Sequence, residues 1–94
     1  MSIWLKIRRW LGFPAFEYDV WVETFRVADF HISVVDYMAR EDFIEWANEN
    51  CGAKNWRIDF DAEVSSLKLD PHNPKVLVQF RYLKHALLFK MSWV

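Results

Sequence analysis

The chain has 94 residues and a mass of 11.4 kDa, which suits one small domain with a single hydrophobic core. Apolar residues make up 53% of the sequence and aromatic residues 18%, which excludes a disordered or low-complexity chain. A net charge of -1 argues against a generally basic nucleic-acid binder, and the lone Cys51 allows neither an internal disulfide nor a cysteine-rich zinc site. We therefore expect one domain over residues 1–94, in a reducing cytoplasm, with no metal and no cofactor.

The charges are unevenly distributed along the chain. Residues 15–50 carry nine acidic and two basic side chains, whereas residues 1–14 carry three basic side chains and no acidic one. Such asymmetry steers a charged surface toward a partner, although a solvated helix face produces the same pattern. A charged interaction surface is therefore one hypothesis for function.

Residues 1–14 have the spacing of an amphipathic helix, and no segment reaches the roughly 18 consecutive apolar residues of a membrane span. The apolar side carries Ile3 and four residues through which we expect this helix to dock: Trp4, Ile7, Trp10 and Leu11. The opposite side carries Lys6, Arg8 and Arg9. A helix of this kind could dock on the domain's own sheet, a second copy of the chain, an acidic partner or a membrane surface. We expect it to dock on protein, because three positive charges are a modest anchor for anionic lipid.

Beyond Phe16 the apolar period becomes two, which is typical of strands. The pattern predicts a hairpin, with strands at 20–25 and 30–35 and a turn near Ala28 and Asp29. Helical spacing follows over Ala39–Cys51, and Gly52 provides the stop. The outer side of this helix carries four acids, which we interpret as a partner-binding surface: Glu41, Asp42, Glu45 and Glu49.

Two further strands and a helix complete the predicted order. Alternation predicts strands at 56–61 and 76–82, separated by the turn-rich residues 70–74. Residues 83–94 favour a helix over a final strand, because Ala, Leu, Lys and Met are helix formers and no hairpin signal precedes them. The order predicts an α+β domain: a small antiparallel sheet with helices packed on one face. We expect a split β-α-β (ferredoxin-like) arrangement with an extra N-terminal helix and strand.

A row of acids carries the hypothesis of a metal-dependent enzyme. Asp59, Asp61 and Glu63 project from one face of the predicted strand, and three carboxylates at this spacing could bind a divalent ion. Arg57 begins the same row, and bases on neighbouring strands could neutralise the acids. We therefore rank this hypothesis third and predict no catalytic residue.

Basic and aromatic residues suggest a different function. Ferredoxin-like sheets bind single-stranded nucleic acid by stacking bases on exposed aromatic rings beside cations. Such a patch would consist of Lys54, Trp56, Arg57, Arg81, Tyr82 and Lys84, with Phe80 beside them. The acidic middle of the chain would repel phosphate, so nucleic-acid binding is the second hypothesis.

The C-terminal residues run from Phe80-Arg81-Tyr82 into an A-x-L-F-K-x-x-W segment that begins at Ala86 and ends at Trp93. This segment resembles the closing part of short, uncharacterised proteins encoded by tailed phages. The resemblance implies a small phage protein that binds a bacterial host protein or a virion component, and it implies no site residue. We therefore interpret the chain as a nonenzymatic protein-interaction module, an inhibitor or accessory factor, with a second copy of the chain as a further candidate partner.

Overall fold

A computed structural model describes residues 16–94, which form an α+β domain with antiparallel sheets and three helices. The strands are β1 (Tyr18–Val22), β2 (Thr24–Val27), β3 (Phe30–Ser33), β4 (Trp56–Asp59) and β5 (Val76–Phe80). The helices are α1 (Tyr37–Asn50), α2 (Phe60–Leu69) and α3 (Leu83–Trp93). The predicted α+β class is confirmed.

β5 is the central strand of a three-stranded sheet. β1 and β4 flank it, and both pair with it in the antiparallel direction. The register places Val20 and Ile58 beside Val78, and it places Asp19 beside Gln79. Because alternate residues point to opposite sides, the sheet has a core face, which carries Val78, and a far face, which carries Gln79. All of β5 is buried, so both faces are covered.

An aromatic cluster covers the core face and joins it to α1, α3 and the β2–β3 hairpin. Phe43 of α1 is fully buried at its centre. Its ring centroid lies 4.9 Å from Phe25, 5.1 Å from Phe89, 5.3 Å from Trp56 and 5.7 Å from Trp93. Aromatic pairs at such separations contribute about 0.5–1.5 kcal/mol each beyond the area that they bury. The Phe43 side chain therefore links α1 and α3 to β2 and β4, which belong to different sheets.

α2 lies on the far face of the sheet. Leu77 of β5 is buried but does not belong to the core cluster, and Trp21 of β1 lines a groove together with residues of α2. This placement differs from the prediction that all helices pack on one face. The reason is that Val76, Leu77 and Val78 make β5 apolar on both sides, so the strand needs a cover on each.

The ferredoxin-like arrangement is not confirmed. β4 is followed by α2 rather than by a strand, and β3 pairs with β2 in a separate two-stranded sheet. The strand predicted at 20–25 is also interrupted at Glu23. Phe25 is therefore buried, whereas an unbroken alternation after Val20 and Val22 would bury Thr24.

Residues 60–69 form a helix where the alternation indicated a continuing strand. The carboxylate of Asp59 accepts a hydrogen bond from the backbone N–H of Ala62 at 3.1 Å and caps the helix. Asp61 and Glu63 in the first turn and Lys68 in the last turn suit the helix dipole. These local signals end the strand one residue before Phe60.

The other elements predicted within residues 16–94 are confirmed, whereas the helix predicted at residues 1–14 lies outside the described residues. Asp36 caps α1 by accepting a hydrogen bond from the N–H of Ala39 at 3.0 Å. Gly52 follows the helix with a φ of 87°, a left-handed conformation that favours glycine. Val27 pairs with Phe30 across the predicted hairpin turn, and residues 83–93 are helical.

Replacing Phe43 with alanine should lower the free energy of unfolding by about 3–5 kcal/mol, because the change empties the centre of the aromatic cluster. Urea denaturation followed by tryptophan fluorescence measures this loss. The control is Phe30→Ala, because Phe30 is 71% exposed and its loss should change stability by less than about 0.5 kcal/mol. Equal effects of the two substitutions would contradict the central role of Phe43.

Candidate interaction surface

α1 presents its predicted acidic side to solvent. Its buried side carries Ala39, Phe43 and Ala47. The opposite side carries the four predicted partner-binding residues, all exposed, which we call the acidic face: Glu41, Asp42, Glu45 and Glu49. The structure therefore brings the four acids together on one outer surface.

The acidic face has no cationic partner among residues 16–94. The ion pairs in this part of the chain join Arg40 to Glu63 and Lys75 to Glu23. The arginine of α1 is thus bound to α2 rather than to its own helix. Glu41 is hydrogen-bonded to the phenol of Tyr37, and this hydrogen bond raises the pKa of Tyr37. Within residues 16–94, no lysine or arginine compensates these carboxylates.

The positions of these acids oppose the stability of α1. Glu41, Glu45 and Glu49 follow one another at four-residue spacing, and like charges at this spacing cost about 0.2–0.5 kcal/mol per pair. Glu49 also lies near the C-terminal end of the helix, where the dipole favours cations, and the last turn contains no basic residue. Cations supplied from outside the helix would relieve this repulsion.

α3 has a second apolar side that the sequence analysis did not assign to any role. Ala86, Phe89 and Trp93 face the core. Another set at helical spacing is between 48% and 75% exposed, and we call it the apolar stripe: Leu83, Leu87, Met91 and Val94. The signal was present in the sequence, because α3 has more apolar residues than one buried side needs.

Cations accompany the apolar stripe. Lys84 and Lys90 are exposed on α3 itself. The guanidinium of Arg26, from β2, donates a hydrogen bond to the backbone carbonyl of Met91. The exposed side of α3 therefore combines apolar area with positive charge.

Trp56 and Arg57 of the predicted nucleic-acid patch are separated by the sheet. Trp56 lies on the core face, where its ring packs against Phe43 and its indole N–H donates to Asn48 Oδ1 at 2.9 Å. Arg57 lies on the far face, where its Nε donates to Gln79 Oε1 at 2.7 Å. Neighbours in one strand point to opposite sides, so these two residues cannot belong to one stacking platform.

The other four residues of that patch lie at one end of the sheet, and we call them the basic end: Lys54, Arg81, Tyr82 and Lys84. The N–H of Arg81 donates to the carbonyl of Asn55, beside Lys54, at 2.9 Å. The cationic groups of Arg81 and Lys84 lie 5.5 Å and 5.6 Å from the centre of the Tyr82 ring. The basic end thus offers one partly exposed ring beside three cations.

The acidic row of the metal hypothesis is divided by the fold. Asp59 caps α2, Asp61 lies in its first turn, and Glu63 forms a two-point ion pair with Arg40. The prediction of three carboxylates on one strand face is therefore wrong, because two of them lie on a helix. Among residues 16–94, no three His, Cys, Asp or Glu side chains are grouped so that they could hold a metal ion. Cys51 is buried, and burial raises the pKa of its thiol.

A groove of about 690 Å³ lies on the far face of the sheet between Trp21 and α2. Two of its polar lining residues, Ser66 and Lys75, have partners within the fold. The backbone N–H of Lys75 donates to Ser66 Oγ at 2.9 Å, and its ammonium group lies 3.5 Å from Glu23. The groove is on the opposite side of the sheet from the acidic face and takes no part in that surface.

The predicted docking helix, with Trp4, Ile7, Trp10 and Leu11, lies outside the described residues, so its docking on protein stays a prediction. Within residues 16–94, no helix combines the length and the apolar character needed to cross a membrane. No protein-family model, curated protein or solved structure matches the chain. Residues 16–94 thus form a small α+β domain that displays an acidic helix face, with no ion-pair partner in this part of the chain, beside a helix with an apolar and basic exposed side.

Replacing Glu45 with lysine should raise the free energy of unfolding by about 1 kcal/mol, because it converts two repulsive pairs on α1 into attractive ones. Thermal and urea denaturation measure the gain, which should shrink at high salt. The control is Glu45→Gln, which removes the repulsion without adding attraction and should give a smaller gain. A loss of stability in the lysine variant would show that the acidic face is compensated within the fold.

Proposed function

We propose that this chain is a nonenzymatic protein-interaction module that binds a basic protein surface through the acidic face of α1. The proposal rests on one observation: four exposed carboxylates share one side of a helix and have no lysine or arginine partner among residues 16–94. Complementary charges accelerate association and select between partners. A basic partner would also relieve the repulsion within α1.

Two exposed side chains at the start of α1 add apolar contact area to this surface. Tyr37 and Met38 are both exposed, and Met38 lies one turn before Asp42 on the same side of the helix. Tyrosine and methionine are enriched in the buried centres of interfaces. The partner surface would therefore place basic residues around an apolar pocket.

The class of partner follows from the resemblance of residues 80–93 to tailed-phage proteins. A small phage protein of this kind would act by occupying a surface of another protein. We propose a bacterial host protein or a virion component as the target, and inhibition or accessory function as the outcome. A basic surface on such a target, for example one that otherwise holds nucleic acid, would suit four carboxylates.

Reversing the charge at two positions of the acidic face, Glu45→Lys with Glu49→Lys, should slow association about tenfold at low salt. The immobilised chain first captures its partner from a bacterial lysate, and the association rate of the purified partner is then measured at several salt concentrations. The difference should shrink as salt rises. Because the same changes should stabilise α1, unfolding would not explain a loss of binding.

The matched control is Asp29→Lys with Asp70→Lys. It changes the net charge by the same amount at two exposed positions outside the helices. An equal decrease in the control would attribute the effect to net charge alone. An unchanged rate in the α1 variant would show that the acidic face is only a solvated surface.

The alternative function, a single-stranded nucleic-acid binder of ferredoxin-like type, draws on the basic end. Stacking successive bases requires several solvent-exposed aromatic rings, and the basic end has only the ring of Tyr82. We expect a short labelled oligonucleotide to show no complex by fluorescence anisotropy at physiological salt. A tight, salt-sensitive complex that is lost in Arg81→Ala with Tyr82→Ala would reverse this ranking.

A further inference from the structure

We propose that a second copy of this chain binds the layer formed by α1 and α3. In the resulting twofold-symmetric dimer, the acidic face of each copy lies against the apolar stripe and the lysines of the other. This inference rests on the proposed function, because it names a partner for the same acidic face. It is carried by the charge and apolar complementarity of two neighbouring helices.

α1 and α3 lie side by side on the core face of the sheet. The rings of Phe43 and Phe89 are 5.1 Å apart, and those of Trp46 and Trp93 are 5.9 Å apart. Since both helices bury one side against the same core, their exposed sides point away from the sheet in the same general direction. The outer layer thus consists of an acidic strip next to an apolar strip that carries lysines.

The exposed lysines of α3 make this layer complementary in charge to the acidic face of a second copy. When two copies meet face to face about a twofold axis that runs between the helices, α1 of one copy lies against α3 of the other. The same rotation places the remaining α3 against the remaining α1, so opposite charges meet twice. Because the interface is twofold-symmetric, it closes on two copies.

The apolar side chains match as well. The apolar stripe on α3 is too exposed to belong to the core of a single copy. Tyr37 and Met38 on α1 are exposed beside the acidic face and would supply apolar contacts to it. A contiguous exposed apolar surface of this kind typically marks an interaction site.

The charges at the ends of the two helices support the same arrangement. Lys84 lies in the first turn of α3, where the helix dipole disfavours a cation. The cationic groups of Lys84 and Arg81 both lie near the ring of Tyr82. Glu49 lies in the last turn of α1, where the dipole disfavours an anion. Neither charge is favoured by its own helix. A charge of opposite sign on a second copy would stabilise each of them.

Sedimentation velocity of the full chain over a range of concentrations tests the proposal. We expect a dimer at about 0.1 mM, a concentration that detects dissociation constants in the micromolar range. Leu87→Glu, in the apolar stripe, should give a monomer. Val64→Glu is the matched control and should remain dimeric, because Val64 has the same exposure (49% against 50% for Leu87) but lies on α2.

A charge exchange tests the pairing itself. Glu45→Lys with Glu49→Lys, and separately Lys84→Glu with Lys90→Glu, should each raise the dissociation constant of the dimer about tenfold at low salt. Combining all four changes restores opposite charges across the interface and should return the constant to within about threefold of the wild type. Near-ultraviolet circular dichroism checks that each variant is folded.

Three results would overturn the proposed dimer. The wild-type chain stays monomeric at about 1 mM, or the combined variant shows no rescue. In the third, Val64→Glu dissociates the dimer as much as Leu87→Glu does. These failures are distinct from a failure of the proposed function. If the wild type is monomeric while the α1 charge reversal still slows capture of a basic partner, only the self-association is wrong. If the dimer forms and exchanges charge as described but no basic partner depends on the acidic face, only the heterologous partner is wrong.

Discussion

The packing of Phe43 is the constraint on which the outer surface depends. Its ring contacts those of Phe25, Phe89 and Trp93, and these contacts fix which side of α1 faces the core. The helical period then directs the acidic face outward. The same cluster holds Phe89 and Trp93 of α3 inward, so the apolar stripe is also left on the outside. The charge and the apolar area of the surface thus follow from one buried ring and the geometry of two helices.

The second structural link is the ion pair between Arg40 and Glu63. The side chains are 20% and 13% exposed, and two nitrogens of the guanidinium contact both carboxylate oxygens. Paired charges of this partly buried kind are strongly coupled, and removing one partner leaves the other poorly solvated. The pair joins α1 to α2. It also engages Arg40, so this cation of α1 does not pair with the acidic face. Among the residues that the structure describes, the ion pair between α1 and α2 therefore leaves the acidic face without a cationic partner.

Charges that oppose the stability of their own helix are informative about function. Proteins commonly retain locally unfavourable groups where binding requires them. In this chain, Glu49 and Lys84 lie at the helix ends where the dipole disfavours them, on the two helices that share one layer. If a second copy and a basic protein both use the acidic face, they compete for it. Self-association would then keep the acidic face covered until a basic target displaces the second copy.

The sequence alone determined the elements whose signals are local. The α+β class, α1 with its stop at Gly52, β5 and α3 follow from periodicity, caps and helix propensity, and so does the grouping of the acidic face. α2 was missed because Asp59 ends a strand and also caps a helix, and alternation continues through it. Only the tertiary structure decided that Trp56 and Arg57 lie on opposite faces, and that Arg40 pairs with Glu63 rather than with its own helix. These outcomes depend on residues far apart in the chain, because strand pairing and packing, rather than local spacing, choose each side chain's neighbours.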